Sequence, residues 1–149
     1  MTPPFRRVPR PCRCHVRVFT AVPEQVADAR SWAVALLPRP PARVADAVRL
    51  AVSEAATNAV RHSVGPDYRL HVTVGRACAR SWVYVQCEDR GGPTVPRSAD
   101  VPHWSETGRG LHLISAVTDL SGPLAEDMSG IYFFLSWSPG AVRSVAESG

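Results

Sequence analysis

Glu54, Asn58 and His62 recur at four-residue intervals in the segment Ser53-Glu54-Ala55-Ala56-Thr57-Asn58-Ala59-Val60-Arg61-His62. On a helix that interval lines all three along one face. Asn is a poor helix-interior residue. One placed a turn from a Glu, beside an apolar stripe, calls for a chemical use. Mg²⁺ offers one, because it takes hard oxygen ligands, usually one or two from protein, with phosphates and waters completing the octahedron. A carboxylate one turn away can accept a proton from an attacking water or hydroxyl. Taken alone, the same spacing also describes the polar face of an ordinary amphipathic helix.

Two further clusters follow. Glu88-Asp89-Arg90-Gly91-Gly92 comes directly after a strand-like run, and Thr107-Gly108-Arg109-Gly110-Leu111 opens a helix-like one. The first alone reads as a turn, since Asp and Gly commonly supply one. In the second, free backbone N–H groups at a helix start can hold phosphate. Glycines there remove the Cβ atoms that would block close approach. Arg109 adds charge or points to solvent. No GxxxxGK[ST] is present and no βαβ unit precedes the glycines, which excludes a P-loop enzyme and a Rossmann site.

The elements that must carry these clusters are legible from periodicity. Cys14 to Ala21 alternates like an edge strand. Pro23 marks a helix start, and Val26, Ala29, Ala33 and Leu36 recur at helical spacing up to Pro38-Arg39-Pro40-Pro41. A second helix spans 42–62, with Val44, Val48, Val52, Ala55 and Ala59 as its buried stripe. Strands are expected over 68–76 and 81–88, joined by a turn at Ala77-Cys78-Ala79. Residues 92–107 read as a mobile loop, 110–118 as a helix and 130–137 as an apolar final strand. The order β-α-α-β-β-loop-α-β predicts an α+β, two-layer sandwich with helices on one face of a mixed, mostly antiparallel sheet.

In this order and spacing the three clusters resemble the N, G1 and G2 boxes of the GHKL (Bergerat-fold, histidine kinase-like) ATP-binding superfamily. The resemblance covers roughly residues 15–137. Within it the chain is most similar to the free-standing RsbW/SpoIIAB-type anti-sigma factor serine/threonine kinases and their actinobacterial relatives. The resemblance implies the Bergerat fold, with ATP and Mg²⁺ as cofactors. It makes Asn58 the Mg²⁺ ligand, Glu54 the general base and His62 a motif residue of the same helix. Asp89 would accept a hydrogen bond from the adenine amino group, and Gly91 would let backbone approach the base. Gly108, Arg109, Gly110 and Leu111 would form the phosphate-side box, with 93–107 as the ATP lid. Ser129 would be the small polar residue at the start of the last strand. One position departs from the pattern: Pro93 stands where a further G1 glycine is usual. The implied partners are a sigma factor, an antagonist protein phosphorylated on Ser or Thr, or both, and a homodimer is common in the family. The alternative is a non-catalytic ATP-binding module that sequesters a regulator. Glu54 favours catalysis, since adenine and Mg²⁺ binding alone do not require it.

Bulk composition agrees with a single domain. The chain has 149 residues, 45% of them hydrophobic, which is ordinary for a globular core. No run approaches a membrane span and no apolar stretch follows the N-terminal arginines, so a cytoplasmic protein is expected. All 17 basic residues are Arg. Arg6, Arg7, Arg10, Arg13 and Arg17 precede the first acid, Glu24, and the remaining 12 Arg face 13 acids. The net charge of +4 therefore comes from the leader. The body is near neutral and direct nucleic-acid binding is not expected. Residues 1–13 read as a disordered Arg/Pro-rich leader, 14–138 as the ATP-binding domain and 139–149 as a flexible tail. Cys12-Arg13-Cys14-His15 lacks the second ligand pair of a zinc site, and the four cysteines are expected as free thiols.

Overall fold

The computed structural model describes residues 12–90 and 106–138. Strand β1 (Cys12–Thr20) leads through a short 3₁₀ turn (Pro23–Gln25) into helix α1 (Val26–Ala35). The long helix α2 (Ala42–His62) follows, then strands β2 (Asp67–Ala77) and β3 (Arg80–Asp89). Helix α3 (Glu106–Val117), the short strand β4 (Leu120–Pro123) and strand β5 (Ser129–Trp137) complete the described chain. The sheet has the order β1-β2-β3-β5-β4. Among the described residues every pairing is antiparallel, at the antiparallel end of the mostly antiparallel sheet expected. The helices form the second layer, giving the α+β sandwich that the pattern predicts.

Residue chemistry explains the layering. Leu70, Val72 and Val74 on β2, Val83 and Val85 on β3, and Ile131, Phe133 and Leu135 on β5 are buried at alternate positions. One sheet face therefore belongs to the core. Helix α2 lies over it with Val44, Val48, Val52, Ala51, Ala55, Ala56 and Ala59 buried. The alanines matter, because small side chains let the helix backbone approach the sheet closely. Helix α1 adds Ala29 and Ala33 to the same core, and Ile114 does so from α3. Pro23 opens the 3₁₀ turn, a position that needs no N–H donor.

Two boundaries and one whole element depart most from the sequence reading. Strand β1 begins at Cys12, inside the segment expected to be leader, because Cys12 and Arg13 pair with Gly75 and Val74. Helix α3 begins at Glu106 instead of Gly110. Strand β4 was not anticipated at all. On β1, Phe19 is the residue in register with buried Tyr68, while Val16 and Val18 lie on the other face, 52% and 53% exposed. None of the described helices is long and apolar enough to cross a membrane. Residues 1–11, 91–105 and 139–149 lie outside the described residues. So do residues 93–105 of the lid expected over 93–107, whose last two positions open α3, and the predicted binding residue Gly91.

Candidate functional site

Glu54 and Asn58 sit half-buried on α2, one turn apart, where α3 crosses it. The crossing is close at Gly110, which is buried. A Cβ built on Gly110 would lie 3.0 Å from Glu54 Oε2 and 4.0 Å from Asn58 Oδ1. The two oxygens that sequence spacing singled out therefore converge on one short stretch of α3. Gly108 and Arg109 precede Gly110 in the opening turn of that helix. Leu111 is partly buried and packs against the hydrophobic core. His62 is exposed at the end of α2, where its position and that of Arg61 suit the negative end of the helix dipole.

The placement of Glu54 is fixed from two sides. Arg30 of α1 donates from Nη1 to Ser53 Oγ at 3.2 Å, tying α1 to the residue before Glu54. Cys87 of β3 donates from Sγ to the carbonyl of Ala55 at 3.6 Å, tying the sheet to the residue after it. Cys87 is 2% exposed. Burial pushes its thiol well above the ordinary range and the nearby charge of Asp89 adds to the effect. A protonated thiol is the state that can donate this bond.

Asp89 closes β3 two residues beyond Cys87, so it shares the helix-facing side of the sheet. In register across the end of the sheet stand Phe19, Tyr68, Asp89 and Ser129, one from each neighbouring strand. Phe19 and Tyr68 stack at 5.8 Å between ring centroids. They make an apolar wall beside the carboxylate. Tyr68 is buried, and its hydroxyl is pushed up first by desolvation and then by Cys87 and Asp28. Asp89 itself is half-buried. A carboxylate with an apolar wall and a neighbouring Ser hydroxyl can read a hydrogen-bond donor on a flat ring.

The chain just after Asp89 is anchored by a residue that sequence reasoning passed over. Arg90 donates from Nε to Asp67 Oδ1 at 3.2 Å and from its backbone N–H to Ser63 Oγ at 3.4 Å. Ser63 directly follows α2 and Asp67 opens β2, so Arg90 clamps the end of β3 to both. Cys87 and Gly130 were passed over in the same way. Gly130 has φ of 142°, and a Cβ there would collide with the Cys87 carbonyl. It lets β5 start directly against the stretch of β3 that ends in Asp89. Arg90 carried a faint signal as the variable residue inside an Asp-x-Gly pattern. Cys87 and Gly130 carried none beyond strand membership.

The residues present fit a Mg²⁺-bearing nucleotide. Two oxygens of the right hardness face a glycine-lined helix start, and a carboxylate sits at the end of the sheet. Comparison with known families supports the nucleotide. Residues 19–121 match the family model of the histidine kinase-like ATPase domain. No match was found among curated proteins. The matched segment contains Glu54, Asn58, Asp89 and Gly110 and more than half of the chain, so this protein belongs to the histidine kinase-like ATPase domain family, an ATP-binding fold.

Proposed function

We propose that this chain is a protein serine/threonine kinase of the anti-sigma factor type. In this reading it binds a sigma factor, and it phosphorylates a protein antagonist in a partner-switching system with Mg·ATP. The observation that carries the reading is the convergence of Glu54 Oε2 and Asn58 Oδ1 beneath Gly110. A purely adenine-reading module has no use for a carboxylate at that point. Asn58 would provide one protein oxygen to Mg²⁺, whose charge offsets that of the phosphates. Asp89 would accept from the adenine amino group, with the Ser129 hydroxyl beside it. Glu54 takes the proton of a Ser or Thr hydroxyl as its oxygen bonds to the γ-phosphorus. The bond from that phosphorus to the ADP oxygen breaks in the same step, and ADP leaves.

The test is direct. The protein is incubated with Mg·ATP carrying labelled γ-phosphate and with the antagonist-domain proteins encoded in its own genome. Label on Ser or Thr of one of them, lost in Glu54→Gln, supports the kinase reading. ATP binding with no label on any antagonist leaves the sequestering module as the function.

A further inference from the structure

The geometry points to Gly110 as a positioning residue for Glu54, distinct from any contact that its box makes with phosphate. The inference rests on the kinase reading only for its catalytic consequence. The structural part stands on the contact itself. A Cβ at 110 would approach Glu54 Oε2 to 3.0 Å. Unforced carbon–oxygen contacts in proteins fall at about 3.3–3.6 Å. Any side chain at 110 therefore moves the carboxylate. The same Cβ would stand 4.0 Å from Asn58 Oδ1, which is ordinary contact, so Asn58 would stay where it is.

The asymmetry between these two distances gives the inference its content. Replacing Gly110 by the smallest chiral residue displaces the base and spares the metal ligand. Helix α2 cannot absorb the change by retreating. Ser53 is held by Arg30 and the Ala55 carbonyl by the Cys87 thiol, one residue to either side of Glu54. The Glu54 side chain gives instead, by a few tenths of an ångström, which shifts its carboxylate from the place where it would meet the acceptor hydroxyl. Gly110 is thus a gap kept open in α3 so that a carboxylate can lie against the helix backbone.

The experiment is a double-substitution cycle on the full chain: Gly110→Ala, Glu54→Ala and the pair together. Melting temperature, affinity for Mg·ATP and phosphoryl transfer are read for each. Ala is the better helix former, so with Glu54 truncated the Gly110→Ala change should raise the melting temperature by about 2–4 °C. With Glu54 present the gain should vanish or reverse. Transfer by Gly110→Ala should fall by roughly 10–100-fold, well beyond any fall in its affinity for Mg·ATP, the pattern of a displaced group with a finite share in the chemical step. Equal melting shifts in the two backgrounds overturn the inference. So does loss of nucleotide affinity in Gly110→Ala to the same degree as loss of transfer, which would mean that the methyl meets phosphate. If the wild type transfers no phosphoryl group, the kinase reading falls, and the melting-temperature cycle still decides whether Gly110 and Glu54 are coupled.

Discussion

Glu54 and Asn58 are four residues apart on one helix, yet they should fail in different ways. On the proposed kinase reading, Glu54→Gln keeps the size and removes the base, so Mg·ATP affinity should persist while single-turnover transfer drops by roughly 10²–10⁴-fold. On the same reading, Asn58→Ala removes the oxygen that would be offered to Mg²⁺. Titration calorimetry should then show ATP affinity that no longer improves with added Mg²⁺. Cys87 allows a prediction that does not depend on function. Its buried thiol stays protonated in the folded chain, whereas in the unfolded chain it ionises near its ordinary value of 9.0. Above that pH the folded state holds the extra proton. Stability from this group is therefore complete below about pH 9 and is lost as the pH climbs further. Tyr68 contributes in the same direction near its ordinary value of 10.0. Urea midpoints measured from pH 7.5 to 10.5 should fall, and Cys87→Ala should flatten the decline. An unchanged slope in that variant would show that Cys87 is not the titrating group. In the native protein a thiol reagent should label exposed Cys14 and Cys78 and leave Cys87 untouched.

Among the elements, those with a long regular pattern were legible and the short ones were not. Helix α2 repeats its apolar stripe over 21 residues, and its predicted span of 42–62 matches the structure. Strands β2 and β3 alternate cleanly, and each runs one residue or more beyond the ends expected for it. Strand β4 escaped because Leu120-Ser121-Gly122-Pro123 has no β-branched residue and ends in proline. It is a strand only because it lies at the sheet edge, where a missing N–H is tolerated, and pairs with β5. The site followed the same rule. Glu54 and Asn58 were singled out by helical spacing and Asp89 by the family resemblance, while the Cys87 tether and the Arg90 clamp arise between elements distant in sequence. The β2–β3 hairpin holds a local strain that the sequence did not announce. Ala77 pairs with Arg80, which leaves Cys78 and Ala79 as a two-residue turn, both left-handed with φ of 50° and 61°. Asn-Gly is the pair such a turn prefers. The double change Cys78→Asn, Ala79→Gly should stabilise the fold by about 1 kcal/mol, read as a higher urea midpoint with an unchanged slope. Gly130→Ala should do the reverse, because the added methyl meets the Cys87 carbonyl and separates β5 from β3 beside Asp89.

At the scale of the whole molecule, α2 is the shared member. It contacts α1, α3 and strands β2, β3 and β5. A nucleotide spanning Asp89, Asn58 and the start of α3 would engage β3, α2 and α3 together, and only in the folded state. Saturation should then appear as global stabilisation: about 2.7 kcal/mol at a hundredfold excess over Kd, or roughly 5–10 °C in melting temperature for a domain of this size. The charge distribution sets the controls for that measurement. Five of the 17 Arg precede Glu24, three of them ahead of β1, and such a basic N-terminal stretch attracts any triphosphate by charge alone. Binding of that kind ignores the base and is screened by salt. Site binding depends on the base, because Asp89 would meet a carbonyl oxygen on guanine where adenine offers an amino group. The expected order at 0.3 M salt is therefore a large shift with Mg·ATP, a much smaller one with Mg·GTP, and none with tripolyphosphate. Asp89→Asn should shrink the gap between ATP and GTP without changing the response to tripolyphosphate. Equal shifts with all three ligands, collapsing together as salt is added, would assign the binding to the leader and withdraw Asp89 from the site.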